Sequence, residues 1–539
     1  TYSNKDNIVY PLLVFVTLSS LQNATTRIIS TFVSIEMARF PPFWVYIQYQ
    51  IVYNLYQKRK ENLMPVSAKQ LNFSSISNDF DKFYNQNQET LLSLLDEFIN
   101  ISNFIPFSFY QNYYSKIGSK RDFSLESMLN AFILKNILSI PSIDLLITIL
   151  SISPNIREFC GFLKVPHKSQ FSRFKSEYLN DLNELFHNLV DKTDDISKKI
   201  NPFLSSILIT DTTGFEAYVT ENNPKFYQSE LRKSKSYAKY FKINNPSSVF
   251  DVEKYAQGQM PKHSISNPDA KLAYLNGHFG YFLKCILSTN AIGLVRDVNF
   301  FDSDNKLSND LRPQDVKDSF DAKSLIPALE THFQLHSNFS YKYFLGDSGF
   351  DADDNYAYLH KRNIMPIISL NPRNSKDLPK IGFNEIGIPL CPYDPSLPMV
   401  YDGICREKNR ADRIKYLCPK SKRVNIDGKL QYVLNCENPC TSSKCGRTKN
   451  LTINHNYRFN TSIPRDSLKW QELYKLRTIC ERSISQIKNF IQIKTSKVRN
   501  TISLKSDILL ACISQLIAFV LIFKTGNSDK PLAIKTLIA

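Results

Sequence analysis

The sequence predicts an α/β (α+β) protein in which an all-helical N-terminal domain precedes a mixed sheet with flanking helices, the second part carrying a turn-rich, Cys-containing insertion. Three observations predict it. Across residues 89–190 apolar residues recur at i, i+3, i+4 and i+7, as in LESMLNAFILKNIL and YLNDLNELFHNLV. Two short apolar runs, residues 207–209 and 343–345, each lead to an aspartate, Asp211 and Asp347, and read as buried strands that end on an acid. Residues 470–490 hold neither Gly nor Pro and are rich in Leu, Lys, Arg, Glu, Gln and Ile, which predicts one long helix.

At 539 residues the chain is long enough for two or three domains with substantial cores. Its 67 Lys and Arg against 50 Asp and Glu leave a net charge of +17. Such an excess favours a polyanionic partner, nucleic acid before membrane. The 10 Cys follow no secretory pairing pattern, so a cytoplasmic chain with reduced thiols is expected. Neither a P-loop nor a dinucleotide fingerprint offers a competing chemistry.

Taken in order, residues 1–63 differ in character from the rest of the chain. The first Met is Met37, and the apolar run 8–21 lacks the flanks of a signal peptide and the length of a membrane helix. Met64 opens an ordinary globular composition, so residues 1–63 are expected to be a non-native or disordered extension. Residues 64–198 then form a helical domain of DNA-binding type. Within it SPNIREFCGFLKVPHKSQFSRFKSEY reads as two short helices split at Val165-Pro166. Ser169 is the expected N-cap of the second helix, and Arg173 and Lys175 project from it toward DNA as in a helix-turn-helix. An ordinary helical bundle is the alternative.

Residues 199–525 form the next unit. In SSILITDTTGF the strand is expected to stop at Asp211, with Thr212, Thr213 and Gly214 turning the chain away. A carboxylate closing an apolar strand is costly unless something compensates it, and a bound cation is the natural compensation. A turn or capping aspartate is the alternative. Residues 216–276 are polar and rich in Lys, Tyr and Asn, either a loop or a surface ordered by a partner. HFGYFLKCILSTN and AIGLVRDVNF return to strands, and a helix is expected over residues 318–335. YKYFLGDSGFDADDNYAYL then gives a strand ending at Gly346-Asp347 and a helix, with Asp351, Asp353 and Asp354 as turn and helix-start acids.

The insertion, residues 372–464, is turn-rich and basic, with Arg406, Lys408, Arg410, Arg413, Lys415, Lys420, Lys422 and Arg423 close together and suited to DNA phosphates. It also holds Cys418, Cys436, Cys440 and Cys445, which could supply four thiolates to a tetrahedral Zn²⁺. Free buried cysteines are the alternative. Residues 506–523 are apolar enough for a membrane helix, yet Ser514 and Gln515 near the middle favour a buried helix closing the core, and no membrane partner is expected. Residues 526–539 are expected to be a tail.

On the helix expected over residues 470–490, Tyr474, Arg477, Glu481 and Lys488 fall within roughly 60° of one another at about 100° per residue. A solvated charged face is the plain alternative. The spacing Tyr-x2-Arg-x3-Glu-x6-Lys nevertheless resembles the signature of bacterial insertion-sequence transposases of the DDE type. ILITDTTGF looks like their first-aspartate block, and FLGDSGFDADDNYAYL with IISLNPR looks like their second.

The resemblance implies an RNase H-like catalytic domain, with Asp211 on the first strand, Asp347 after the fourth and Glu481 on a helix packed beside them. It implies that these acids are catalytic and hold Mg²⁺ or Mn²⁺, and that Tyr474, Arg477 and Lys488 hold the DNA strand. The implied function is DNA transposition: recognition of transposon ends, metal-dependent cleavage and strand transfer into target DNA, by a homodimer on the DNA at the nucleoid. A nuclease of the same fold without strand transfer is the enzymatic alternative. A decayed or domesticated DNA-binding protein is the other.

Overall fold

Ile207–Glu216 (β1) is the strand on which the sheet is built, and it runs past its expected end. The computed structural model describes residues 94–95, 99–114, 120–244, 250–275, 278–300, 320–371, 382–408, 410–426, 428–453, 456–492, 497–526 and 532. Residues 1–63 and nearly all of the expected tail lie outside these. Strand β1 continues because His278–Asn290 (β3) pairs with it antiparallel throughout, Asp211 opposite Leu287 and Gly214 opposite Lys284. Gly214 is not a turn residue. A Cβ there would stand 2.5 Å from Leu275 Cδ1 and 2.9 Å from Phe282 Cβ, so neighbouring strands crowd out any side chain.

On the far edge of β3, Lys271–Leu275 (β2) pairs with its first half and Val295–Phe300 (β4) with its second. On the other edge of β1, Tyr343–Gly346 (β5) and Met365–Ile368 (β6) follow in parallel. Four antiparallel strands, β1 to β4, beside two parallel ones give the RNase H-like mixed sheet. Because β2 is an added strand, Asp347 follows the fifth strand in sequence, where the resemblance implied the fourth.

The pleat sorts side chains by parity. Leu208, Ile286, Phe344 and Ile368 face Phe320–Leu335 (a helix with Pro327 inside it) and Asp353–Lys361. Ile207, Ile209, Phe215, Leu283, Leu287, Leu345 and Ile367 face a larger core on the opposite side. That core also takes in the N-terminal helices, which in chain order are Phe107–Tyr113 (α1), Leu125–Ile137 (α2), Ile143–Ile152 (α3), Pro154–Phe159 (α4), Lys168–Glu177 (α5) and Leu179–Ile200 (α6). The later helices are Pro224–Asn244 (α7), Val252–Gln259 (α8), Phe320–Leu335 (α9), Asp353–Lys361 (α10), Leu468–Lys475 (α11), Thr478–Ile491 (α12) and Thr501–Lys524 (α13).

Helix α13 is the apolar one with membrane-like length, and 89% of its most apolar window is buried within the protein. It packs on α2, α5, α6 and α12. Its polar residues are pins: Gln515 Oε1 accepts from Val295 N–H at 3.1 Å, and Ser514 Oγ accepts from Asn136 Nδ2 at 3.1 Å. From Phe80 onward the chain is one compact unit, so the expected helical domain shares its core with the sheet.

A buried polar clasp joins α6 to α9. The sequence contains a His-x3-His pair, His332 and His336. His336 Nδ1 lies 2.7 Å from Asp191 Oδ1, and its Nε2 lies 3.0 Å from His187 Nδ1. His332 Nε2 meets the Tyr341 hydroxyl at 3.1 Å. Burial, then His336, push the His187 imidazole down to about 3.

The insertion has its own small core of Ile388, Met399, Ile414, Tyr416 and Ile453. Val400–Cys405 (β7), Arg413–Leu417 (β8) and Thr448–Thr452 (β11) form an antiparallel sheet in the order β11-β8-β7, and Ser421–Ile426 (β9) pairs with Lys429–Leu434 (β10) as a hairpin.

Candidate active site

Asp211 has the parity of Ile207 and Ile209 along β1, so its side chain stands on the face covered by α12. Asp347 leaves the end of β5, where its Oδ1 accepts from Gly349 N–H at 2.8 Å. Helix α12 buries Cys480, Ser483, Ile484, Ile487, Phe490 and Ile491, and the Ser483 hydroxyl donates to Gly293 O at 2.6 Å. That face fixes the helix, and Glu481, next to Cys480, emerges at its edge.

Asp347 and Glu481 both act on Asp211. Burial first, then Asp347 and also Glu481, push the Asp211 carboxyl up to about 7, with Arg477 opposing. Glu481 is half exposed and its carboxylate is held by Arg477 Nη1 at 2.7 Å. Among the described residues no three His, Cys, Asp or Glu side chains are gathered closely enough to hold a metal ion. For the triad the reason is geometric, since Glu481 is turned to Arg477.

The single helix expected over residues 470–490 is two, α11 and α12. At the junction, i to i+3 bonds replace the usual ladder: Leu476 N–H donates to Leu473 O, Arg477 to Tyr474 O and Ile479 to Leu476 O, each at 3.0 Å. This overwound step contains no Gly or Pro, so nothing in the sequence marks it. Tyr474 stacks on Trp470 with ring centroids 4.6 Å apart and donates to Ser369 Oγ at 3.0 Å. Arg477 lies 5.9 Å from the centre of the Tyr474 ring. Lys488 lies over Phe215 at 5.7 Å. Burial lowers its ammonium's pKa, with Cys285 and Asp211 opposing.

A fourth carboxylate went unnoticed in the sequence. Asp321 lies in the first turn of α9, and its pKa is raised by burial and by Asp347 against the pull of Thr212 and Lys284. A Cβ on Gly349 would stand 2.6 Å from Asp321 Oδ2 and 2.9 Å from Asp347 Oδ1, so glycine there lets both acids close on the same turn. An acid at a helix start looks like ordinary dipole chemistry, which hid it. Asp351 is different again: it is buried in an ion pair with Arg458 at 2.6 Å and pins the insertion to the turn after Asp347.

Of the other expected site residues, Arg173 is exposed on α5, but Lys175 is not. The Lys175 ammonium is buried and paired with Asp507 of α13 at 2.8 Å, because α5 packs that face against α13. This corrects the reading of Lys175 as a DNA contact. The cap of α5 is His167 in a capping box with Gln170, where Ser169 was expected.

In the insertion, Cys418 N–H donates to Arg447 O at 2.9 Å and Leu434 N–H to Lys444 O at 3.0 Å, and the Ser421 hydroxyl donates to Cys445 O. The backbone thus draws the cysteine-bearing segments together. Their thiols are engaged locally, Cys436 with Asn438 O at 3.4 Å and Cys445 with Ser443 Oγ at 2.9 Å. The tetrahedral arrangement expected of Cys418, Cys436, Cys440 and Cys445 is not assembled among the described residues. Several cations of the insertion are also neutralised, Arg410 by Glu407 at 2.8 Å and Lys415 by Asp402 at 2.8 Å.

Two family models match the chain. One, described as a transposase domain (DUF772), matches residues 78–177, and the other, a transposase DDE domain, matches residues 298–517. The second spans Asp347 and Glu481 and begins after Asp211. No curated protein matches the chain.

Proposed function

As an insertion-sequence DDE transposase, a nucleic-acid phosphoryl-transfer enzyme acting in DNA transposition, the chain needs converging acids, and we propose that Asp211, Asp347 and Glu481 are those acids. The observation that carries this is that Asp211, buried on the face covered by α12, is pushed up to about 7 by burial and by the neighbouring carboxylates of Asp347 and Glu481. Oxygen donors that repel one another fit a hard divalent cation, Mg²⁺ or Mn²⁺. When bound, such ions polarise the attacking and leaving oxygens of the phosphodiester.

The chain's own residues set the rest. Asp211 is held within β1 and Asp347 at the end of β5, so both start from fixed backbone. With a cation held there, Glu481 would be one of its ligands, and Arg477, now its ion-pair partner at 2.7 Å, would be placed to meet a DNA phosphate. Lys488 and Tyr474 flank the same face and position the strand. Residues 64–198, with Arg173 on their exposed surface, recognise transposon ends, residues 199–525 cleave and join, and the protein works as a homodimer on the DNA. Were the thiols of Cys418, Cys436, Cys440 and Cys445 turned toward one another, they would be the residues to hold a structural Zn²⁺.

The test separates charge from shape. Asp211→Asn and Glu481→Gln should abolish Mg²⁺-dependent nicking of a labelled end fragment while gel-shift binding of the same fragment survives. Normal nicking by either variant would overturn the assignment. Pre-cut ends that are never joined to a target plasmid would favour the nuclease reading.

A further inference from the structure

Helix α7 and helix α8 form an arm between β1 and β2 that the chemistry of the acids does not use. Its two helices meet through aromatic side chains: Tyr237 stacks on Tyr255 with centroids 4.8 Å apart, and Phe250 lies 5.0 Å from Phe241 and 5.1 Å from Tyr255. Ser234, Ala238 and Ala256 are buried between the helices. The outer face of α7 is basic. Lys225, Arg232, Lys235, Lys239 and Lys242 are all exposed, and at about 100° per residue they fall within roughly 100° of arc. At about 1.5 Å per residue the stripe runs roughly 25 Å. The lone acid of α7, Glu230, points to another flank and pairs with Lys233 at 2.7 Å. Among the described residues none of the five cations is in an ion pair.

The root of the arm is fixed to the sheet that carries Asp211. Asn222 Nδ2 donates to Ala217 O at 2.7 Å and to Tyr281 O at 3.0 Å, while its Oδ1 accepts from Tyr281 N–H at 2.7 Å. Buried Glu221 accepts from Ser264 Oγ at 2.8 Å and from Ile265 N–H at 2.7 Å. Beside the root, Arg499 lies over Tyr218 at 5.5 Å, and exposed Lys497 is close by in sequence.

We infer that the outer face of α7 is a backbone-binding arm for the duplex flanking the cleavage point, its five cations laid along successive phosphates. A stripe of one sign, held rigidly beyond the catalytic strand, is complementary to a polyanionic rod and to little else. The inference rests on DNA being the partner but not on the identity of the catalytic acids. Contacts of this kind set register and affinity, not sequence choice.

The experiment is a salt titration of binding to a duplex containing the transposon end, in EDTA so that the carboxylates play no part. In the Lys235→Gln/Lys239→Gln/Lys242→Gln variant the slope of log affinity against log salt should become shallower by about 2.7, at about 0.9 per phosphate contact. Affinity for end and unrelated duplexes should fall by the same factor, and the triple Lys→Arg variant should restore both. An unchanged slope in a triple-Gln variant with wild-type helicity and melting temperature would overturn the arm. So would a loss confined to the end sequence, since phosphate contacts cannot produce it. Failure of the Asp211 and Glu481 assignments leaves this slope untouched, so the two outcomes are distinguishable.

Discussion

Arg173 and Lys175 stand two residues apart on α5 and belong to different parts of the molecule. Lys175→Ala should cost about 3–5 kcal/mol, because it strands the buried carboxylate of Asp507. Arg173→Ala should leave the melting temperature unchanged and weaken end binding. A gel-shift beside a thermal melt of each variant checks both, and equal stability of the two variants would refute the distinction. At the same scale, Asp297 on β4 is buried, accepting from Val298 N–H at 2.9 Å and Asn299 Nδ2 at 2.7 Å, and burial pushes its carboxyl up to about 7 against those bonds. The folded protein therefore holds this proton where the unfolded chain has released it. Stability from this group is full at acid pH and is lost as pH rises from the unfolded value near 4 through about 7, by about 1.4 kcal/mol per unit of separation. His187 works in the opposite sense, since its folded value near 3 removes stability as pH falls below the unfolded value near 6.5. Asp297→Asn should reduce the loss between pH 5 and 8 in denaturant titrations, the remainder coming from Asp211, whose carboxyl is raised into the same range. The same loss in wild type and variant would sink the argument.

At the scale of the element, the insertion offers the cleanest decision. If the four cysteine segments close on Zn²⁺, purified protein should carry about one equivalent of metal, and Cys440→Ser should lose it together with local stability. Metal-free protein whose insertion is fully folded would end the proposal. The small core of Ile388, Met399, Ile414, Tyr416 and Ile453 makes that outcome physically open, because it already holds the β11-β8-β7 sheet together. The break between α11 and α12 has a further consequence for the site. It lets Trp470 and Tyr474 dock near Ser369, after β6, while Glu481 and Lys488 stay beside β1. One unbroken rod would have to compromise between the two.

For the whole molecule, the shared core has a direct prediction. Helix α13 packs on α2, α5, α6 and α12, and α6 is clasped to α9 through His187, His336 and Asp191. A chain truncated after Asn500 should therefore lose the cooperative transition of sheet and N-terminal helices together. Calorimetry checks it, and an N-terminal helical domain that still melts on its own in that truncation would show that it folds independently. The same layout puts the exposed face of α5, the acids of β1 and β5 and the basic face of α7 on one compact unit running from Phe80.

The sequence by itself determined the local elements and the residue types of the site. Periodicity located α2, α3 and most of α6 and the strands β3, β4, β5 and β6, since each is set by side-chain spacing along a few turns or pleats, and the polar residues Ser514 and Gln515 marked α13 as buried. The sequence also brought out Asp211 and Asp347 as acids following short apolar runs, costly to bury without compensation, and Glu481 by its spacing from Tyr474, Arg477 and Lys488, which resembles a family signature. Only the tertiary structure decided matters that depend on a distant partner. Strand β1 continues through Gly214 because β3 and β2 lie against it, Lys175 is buried because α13 covers α5, and Asp321 joins the acids because α9 delivers its first turn to Gly349. Helices α7 and α8 form an arm because their aromatic side chains and Phe250 meet, a contact that spacing does not encode, while residues 271–275 of the same stretch join the sheet as β2. In each case the deciding contact joins segments far apart in the chain, and the energy of such a contact belongs to the pair and is written in neither segment alone.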